Sequence, residues 1–175
     1  RYQGDAKTLS VTLNRIVNNE PILADGVMQI FDNGFSNTID ESDAPKMPNQ
    51  TESLSILKSN NLLSIESRNE FSSADTVQLS IAQMKVANYQ LTVSNNLTNT
   101  NSLSAYLEDN YLHTRTSVPF NGSMTVDFSI SSDPLSYSPT RFRIVFASTV
   151  VLPVKFVQLI AKKISQQTEL QWTVA

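Results

Sequence analysis

The chain has 175 residues, 40% of them hydrophobic, a formal charge of −3 and no cysteine. That length suffices for one ordinary domain with its own core, and the missing cysteines exclude disulfides, thiol catalysis and thiolate metal sites. Lys and Arg are scattered rather than gathered into the basic stripe a phosphate backbone demands, and no run approaches the ~20 apolar residues of a membrane helix, so neither a nucleic-acid partner nor a membrane span is expected.

Taken in chain order, Arg1 to Lys7 carry no apolar signal core, and any export signal is expected upstream. Leu9, Val11 and Leu13 alternate with Ser10 and Thr12, which predicts a strand with one apolar face. Val27 to Phe31 reads as a weaker strand. Asn33 to Thr51 holds Gly34, Pro45 and Pro48 with Asp40, Glu41 and Asp43; a loop this long inside a compact domain is uncommon and often functional. Leu54 to Leu57 and Leu62 to Ile65 follow as short strands, with Asn60-Asn61 as their two-residue turn because Asn tolerates positive φ. Val77, Leu79 and Ile81 alternate next, then Tyr89, Leu91 and Val93, with one helical turn expected over Ala82 to Ala87. Ser104 to Leu107 is another short strand. Met124, Val126, Phe128 and Ile130 alternate with Thr125, Asp127 and Ser129, and Phe142, Ile144 and Phe146 close the series. Arg141 and Arg143 share the opposite face of that last run, where an exposed pairing with loop carboxylates is expected to add only about 0–1 kcal/mol.

About nine short strands, each with one solvated face, predict an all-β fold: a two-layer β-sandwich of jelly-roll type over residues 1–147. A hinge at 148–153 is expected around Pro153. Residues 154–175 read as the first two strands of an immunoglobulin- or fibronectin-like module, expected to continue past Ala175, with Trp172 as its core aromatic. Ser, Thr and Asn make up about a third of the chain, a surface kept soluble by neutral hydrogen-bonding groups, which suits an extracellular β protein. Three Asn-X-Ser/Thr sequons, at Asn49, Asn96 and Asn121, are expected by chance in such a composition.

The chemistry-bearing residues are few. His113 is the only histidine, and no Gly-X-Ser-X-Gly elbow is present to offer it a nucleophile. One histidine without cysteine also falls short of a zinc ligand set. Asp32, Asp40 and Asp43 surround the long loop, and calcium takes six to eight oxygen ligands of this kind. The spacing departs from an EF-hand, and the same carboxylates serve equally to cap turns. Calcium is thus the one cofactor candidate, with no cofactor as the expected state. Glycoside hydrolysis needs two carboxyl groups at a defined separation, and nothing identifies a pair. Tyr2, Phe35, Tyr111 and Tyr137 lie outside the alternating core positions and leave sugar binding open.

The segment Leu152-Pro153-Val154, the apolar run after it, Ala161-Lys162-Lys163 and Leu170-Gln171-Trp172-Thr173-Val174-Ala175 resembles the region preceding the sorting domain in Bacteroidetes surface proteins exported by the type IX secretion system. Phe31-Asp32-Asn33-Gly34, Asp40 to Lys46, Tyr106-Leu107-Glu108-Asp109 and Arg141 to Phe146 look like recurring patterns of the same surface modules. The resemblance implies an extracellular or cell-surface location and a modular polypeptide. It carries no shared catalytic residues, and the sorting domain itself is absent from this sequence. The function expected is a non-catalytic module with an adhesion, spacer or presentation role, partnered by other domains of its own polypeptide. The alternative is a carbohydrate-binding module, with a glycan or a surface protein as partner and a structural calcium ion in the acidic loop.

Overall fold

The structure is a computed structural model that describes residues 6–47, 49–98, 103–148, 156–164 and 167–174. Its strands are β1 (Lys7–Val17), β2 (Glu20–Phe31), β3 (Ala44–Pro45), β4 (Ser53–Lys58), β5 (Asn61–Arg68), β6 (Thr76–Ala82), β7 (Ala87–Asn95), β8 (Leu103–Asp109), β9 (Thr114–Val118), β10 (Gly122–Ile130), β11 (Phe142–Ser148), β12 (Phe156–Ile164) and β13 (Gln167–Val174). Among the described residues the only helical element is a single 3-10 turn, Pro134–Tyr137, whose first N–H groups are capped by Asp133. The all-β expectation holds.

Eleven strands form one hydrogen-bonded sheet in the order β10-β7-β1-β2-β5-β4-β6-β11-β8-β9, with β3 added alongside β5. The sheet curls into a sandwich, and rings from its two halves meet in the core. Phe31 of β2 stands edge-on to Phe146 of β11 with centroids 6.0 Å apart, and Phe128 of β10 meets Phe142 of β11 at 4.8 Å. The two terminal strands of this path, β9 and β10, are consecutive in the chain and joined across Pro119-Phe120-Asn121, so the curled sheet comes close to a barrel.

Alternation explains which side chains fill the core. Leu9, Val11 and Leu13, then Leu91 and Val93, are buried while the polar residues between them are not; Val77, Leu79 and Ile81 are buried too, with Ser80 buried between the last two. Complete burial of such a side chain is worth about 1.5–3 kcal/mol, and this set outweighs the local preference of any single residue. One link breaks the antiparallel habit. β2 and β5 run parallel, with Met28 opposite Ile65 and Phe31 opposite Arg68. A parallel pair cannot be joined by a tight turn, and the long segment from Asp32 to Glu52 supplies the crossover, carrying β3 and returning through β4.

One hairpin turn differs from expectation. Asn61 pairs with Lys58, so the β4–β5 turn residues are Ser59 and Asn60, both at positive φ (47° and 65°). The β1–β2 hairpin turns at Asn18-Asn19, with φ of 52° and 65°, the conformation that a two-residue primed turn demands and Asn tolerates. Ala82 to Ala87 is not helical: it ends β6, passes through Gln83 at φ 56° and enters β7. β9 has no apolar alternation to announce it. Its outward positions are polar, and it forms because β8 offers an open edge, with Leu107 opposite Thr116 and Ala105 opposite Val118.

β12 and β13 make a separate two-stranded antiparallel sheet, in which Trp172 stands opposite Leu159 and Lys162 opposite Glu169. Two strands are expected in this segment, and two are present, each running further toward the turn than the periodicity suggested. The expected hinge at Pro153 and the side chain of Trp172 lie outside the described residues.

Candidate functional site

The acidic loop is organised by its own backbone. Asp32 Oδ1 accepts the Gly34 N–H at 2.8 Å, and Asp40 Oδ1 accepts the Ser42 N–H at 2.9 Å together with the Ser42 hydroxyl. Those two bonds from Ser42 hold the Asp40 carboxyl below the ordinary carboxylate range. Asp43 Oδ2 accepts the Asp40 N–H at 2.9 Å while its Oδ1 accepts the Ser67 N–H on β5 at 2.8 Å. Ser67 Oγ in turn donates to the Ser42 carbonyl. Asp40 and Asp43 thus share one turn, and Asp43 pins that turn to β5 beside the short strand β3. Asp32 caps a separate turn at the end of β2. Among the described residues no group of three or more His, Asp or Glu side chains stands in a metal-holding arrangement.

A second set of carboxylates, in or near strands, is buried or half-buried. Asp25 on β2 accepts Lys46 Nζ at 2.6 Å through Oδ1 and the Leu54 N–H of β4 at 2.7 Å through Oδ2. Burial works to raise its pKa, but the hydrogen bonds from Lys46, Leu54 and Gly26 outweigh burial and hold it below the usual range. Glu52, just before β4, accepts the hydroxyl of fully buried Tyr89 at 3.0 Å and lies 3.4 Å from Arg15. Its carboxyl is also lowered: desolvation is overcome by its own backbone N–H, by Tyr89 and by the charges of Lys85 and Arg15. The same burial, with Glu52 beside it, raises the Tyr89 phenol. Glu66 on β5 is buried 2.6 Å from Lys58 Nζ.

Among the described residues the largest fully buried side chain is Arg141. An exposed position was expected from its parity with Arg143, and that expectation is overturned. Arg141 precedes β11 in a turn where its N–H donates to the Ser138 carbonyl, so strand alternation does not govern its direction. Its Nε and Nη2 fork onto Asp109 Oδ1 and Oδ2 at 2.9 and 2.7 Å, and Nη1 donates to the carbonyls of Ser129 and Ser136. The guanidinium lies 4.8 Å from the ring centroids of Tyr111 and Phe142 and 5.1 Å from that of Phe128. Asp109 Oδ1 also accepts the N–H groups of Tyr111 and Leu112, which starts the turn toward β9. The sequence patterns around Tyr106–Asp109 and Arg141–Phe146 are therefore neighbours: β8 and β11 pair, with Glu108 opposite Arg143. His113, exposed at φ 54°, sits in the turn beyond them.

The two outer faces differ. Across β9, β8 and β11 the exposed Arg115 and Arg143 converge on Glu108 at 3.4 and 2.7 Å, and Arg115 lies 3.9 Å over the Tyr106 ring. Across β1, β7 and β10 the outward residues fall into registered rows of polar groups, neutral except for Asp127. Ser10, Ser94 and Ser123 form one, and Thr12, Thr92 and Thr125 the next. Asn14, Gln90 and Asp127 form the third, linked by Asn14 Nδ2 to Thr92 Oγ1 at 3.3 Å and Gln90 Nε2 to Asp127 at 2.8 Å. The alternation of each strand marks these positions as solvent-facing. Their alignment into rows follows from the strand order β10-β7-β1, which periodicity does not contain.

No protein-family model matches the chain, and neither a curated protein nor a solved structure matches it.

Proposed function

We propose that this chain is a non-catalytic β-sandwich module of a secreted or cell-surface protein, with an adhesion, spacer or presentation role. The observation that carries the reading is the use made of its ionisable groups. The buried charges Glu52, Glu66, Asp109 and Arg141 each meet an oppositely charged partner, and each pair joins different parts of the scaffold. Catalytic acids and bases are instead expected in a cleft, poised toward a reacting atom. The exposed His113 has no buried acid behind it among the described hydrogen bonds. The resemblance of residues 152–175 to the segment preceding type IX sorting domains supports the surface location.

Two measurements on the purified chain test this reading. Incubation with ester, glycoside and peptide substrates is expected to give no turnover; turnover that disappears in a point variant would overturn it. Millimolar calcium is expected to leave the melting temperature unchanged, since the loop carboxylates serve backbone N–H groups. A bound ion at a hundredfold excess over its Kd stabilises by about 2.7 kcal/mol. A rise of several degrees that is lost in Asp40→Asn and Asp43→Asn would make the loop a calcium site.

A further inference from the structure

Beyond a scaffold role, we propose that the outward face of β1, β7 and β10 is a binding site for a neutral saccharide chain, seated in the groove beneath the β1–β2 hairpin. β1 and β7 part before either strand ends. Their last pairing is Arg15 opposite Tyr89, although β1 and β2 stay paired to Val17 and Glu20 and β7 stays paired with β10 to Ala87. The parting of the two strands leaves a groove of about 400 Å³, walled by Ile16 and Pro21 and floored by Asn88, Gln90, Asp127 and Ser129. That volume lies within the range of about 300–1,000 Å³ typical of small-ligand pockets.

The lining matches the two-sided chemistry of a sugar, which offers C–H faces to an apolar wall and hydroxyls to amides, hydroxyls and carboxylates. Its polar groups are already set in place, because Gln90 Nε2 donates to Asp127 Oδ1 at 2.8 Å and Ser129 Oγ to Asn88 Oδ1 at 2.7 Å. A polar floor held this way loses little freedom when a ligand arrives. The wall is equally fixed, since Asn18 and Asn19 lock the hairpin turn. Asp127 is the single charged residue of the lining. A phosphate or an acidic glycan therefore finds no cation there and meets a carboxylate, whereas a neutral polyol can donate to it.

The same face continues for the length of the strands. A shallow depression lies at its other end, where Ser10, Ser94 and Ser123 form a row beside Asn96 and Asn121. The threonine row lies between the groove and this depression. From Gln90 to Ser94 the strand advances about 13 Å, a distance that suits several linked sugar units running parallel to β7 better than one monosaccharide.

The test uses the whole chain against a panel of neutral oligosaccharides of five or six units (gluco-, manno-, xylo- and galacto-configured), by calorimetry and by electrophoresis through gels containing the matching polysaccharides. At least one is expected to bind with micromolar to sub-millimolar Kd. Gln90→Ala and Asp127→Ala are each expected to weaken it at least tenfold, with Asp127→Asn losing less because it keeps an acceptor. Circular dichroism and melting of each variant report folding separately. Tyr106→Ala and Tyr111→Ala, outside this face, are expected to leave affinity unchanged. The proposal is overturned if no neutral oligosaccharide binds at millimolar concentration, if the Gln90 and Asp127 variants bind normally, or if binding follows the tyrosines instead. Hydrolysis of a bound glycan would overturn the non-catalytic reading while leaving the binding face in place, so the two failures are distinguishable.

Discussion

Arg141 and Arg143 stand two positions apart, and both reach carboxylates of the same neighbouring strand, yet they do different work. Arg141 and Asp109 are 1% and 5% exposed and form a two-pronged pair. Arg143 and Glu108 are 44% and 20% exposed and meet through one nitrogen. The buried guanidinium also serves two backbone carbonyls and lies against three rings, so it clamps the end of β8, the end of β10 and the 3-10 turn around one point. The exposed one lies across a sheet that its ladder bonds already hold. Identical charges on adjacent registers therefore differ in consequence because water reaches one and not the other.

The largest expected effect comes from breaking the inner pair. Arg141→Ala or Asp109→Ala strands an unpartnered charge in the core and is expected to cost about 3–5 kcal/mol, measured by urea denaturation. Arg141→Lys keeps the charge but loses the fork and is expected to recover only part of that. Replacing both residues with apolar ones often restores stability for a simple buried pair. Here it should not, because the Ser129 and Ser136 carbonyls and the Tyr111 and Leu112 N–H groups would lose their partners as well. A double variant as stable as the parent would show that the clamp is only an ion pair.

A smaller effect is expected in acid, where Asp25 and Glu52 carry it. The Asp25 and Glu52 carboxyls both titrate below their ordinary values, so the unfolded chain binds more protons than the folded one. Their stabilisation is complete above their unfolded values near pH 4 and is lost as pH falls through the lower folded values. Urea midpoints measured from pH 7 downward should hold level to about pH 5 and then fall. Asp25→Asn is expected to lower the plateau and flatten that fall; an unchanged slope would remove Asp25 from the account. The smallest effect belongs to Arg143→Ala, expected to shift stability by about 0–1 kcal/mol, less in high salt. A loss equal to that of Arg141→Ala would erase the distinction between the two arginines.

Much of this architecture is legible in the sequence, and the illegible parts share a cause. The runs at Leu9–Leu13, Val77–Ile81, Tyr89–Val93, Met124–Ile130 and Phe142–Phe146 all lie in strands, because burial on one face imposes a period of two. Arg141 misleads because period two applies only within a strand and its backbone is still in the turn. Asp25 carries no warning in the sequence except a charge and a glycine inside an apolar run, and its partners Lys46 and Leu54 lie 21 and 29 residues away. The polar rows at Ser94, Thr92 and Gln90 are visible one strand at a time. They become a surface only through a strand order that depends on long-range pairing.

The parallel pairing of β2 with β5 bears on how the chain assembles. The β1–β2 and β4–β5 hairpins close over two-residue turns and can form early, whereas Met28 reaches Ile65 only after 37 residues have been brought round. Topologies dominated by such distant pairings fold in milliseconds to seconds rather than microseconds. Asp43 and β3, anchored on β5 at Ser67 and Ile65, shorten the span left to close between Phe31 and the docked strand. The acidic loop is thereby a brace on the one parallel link among the described strands.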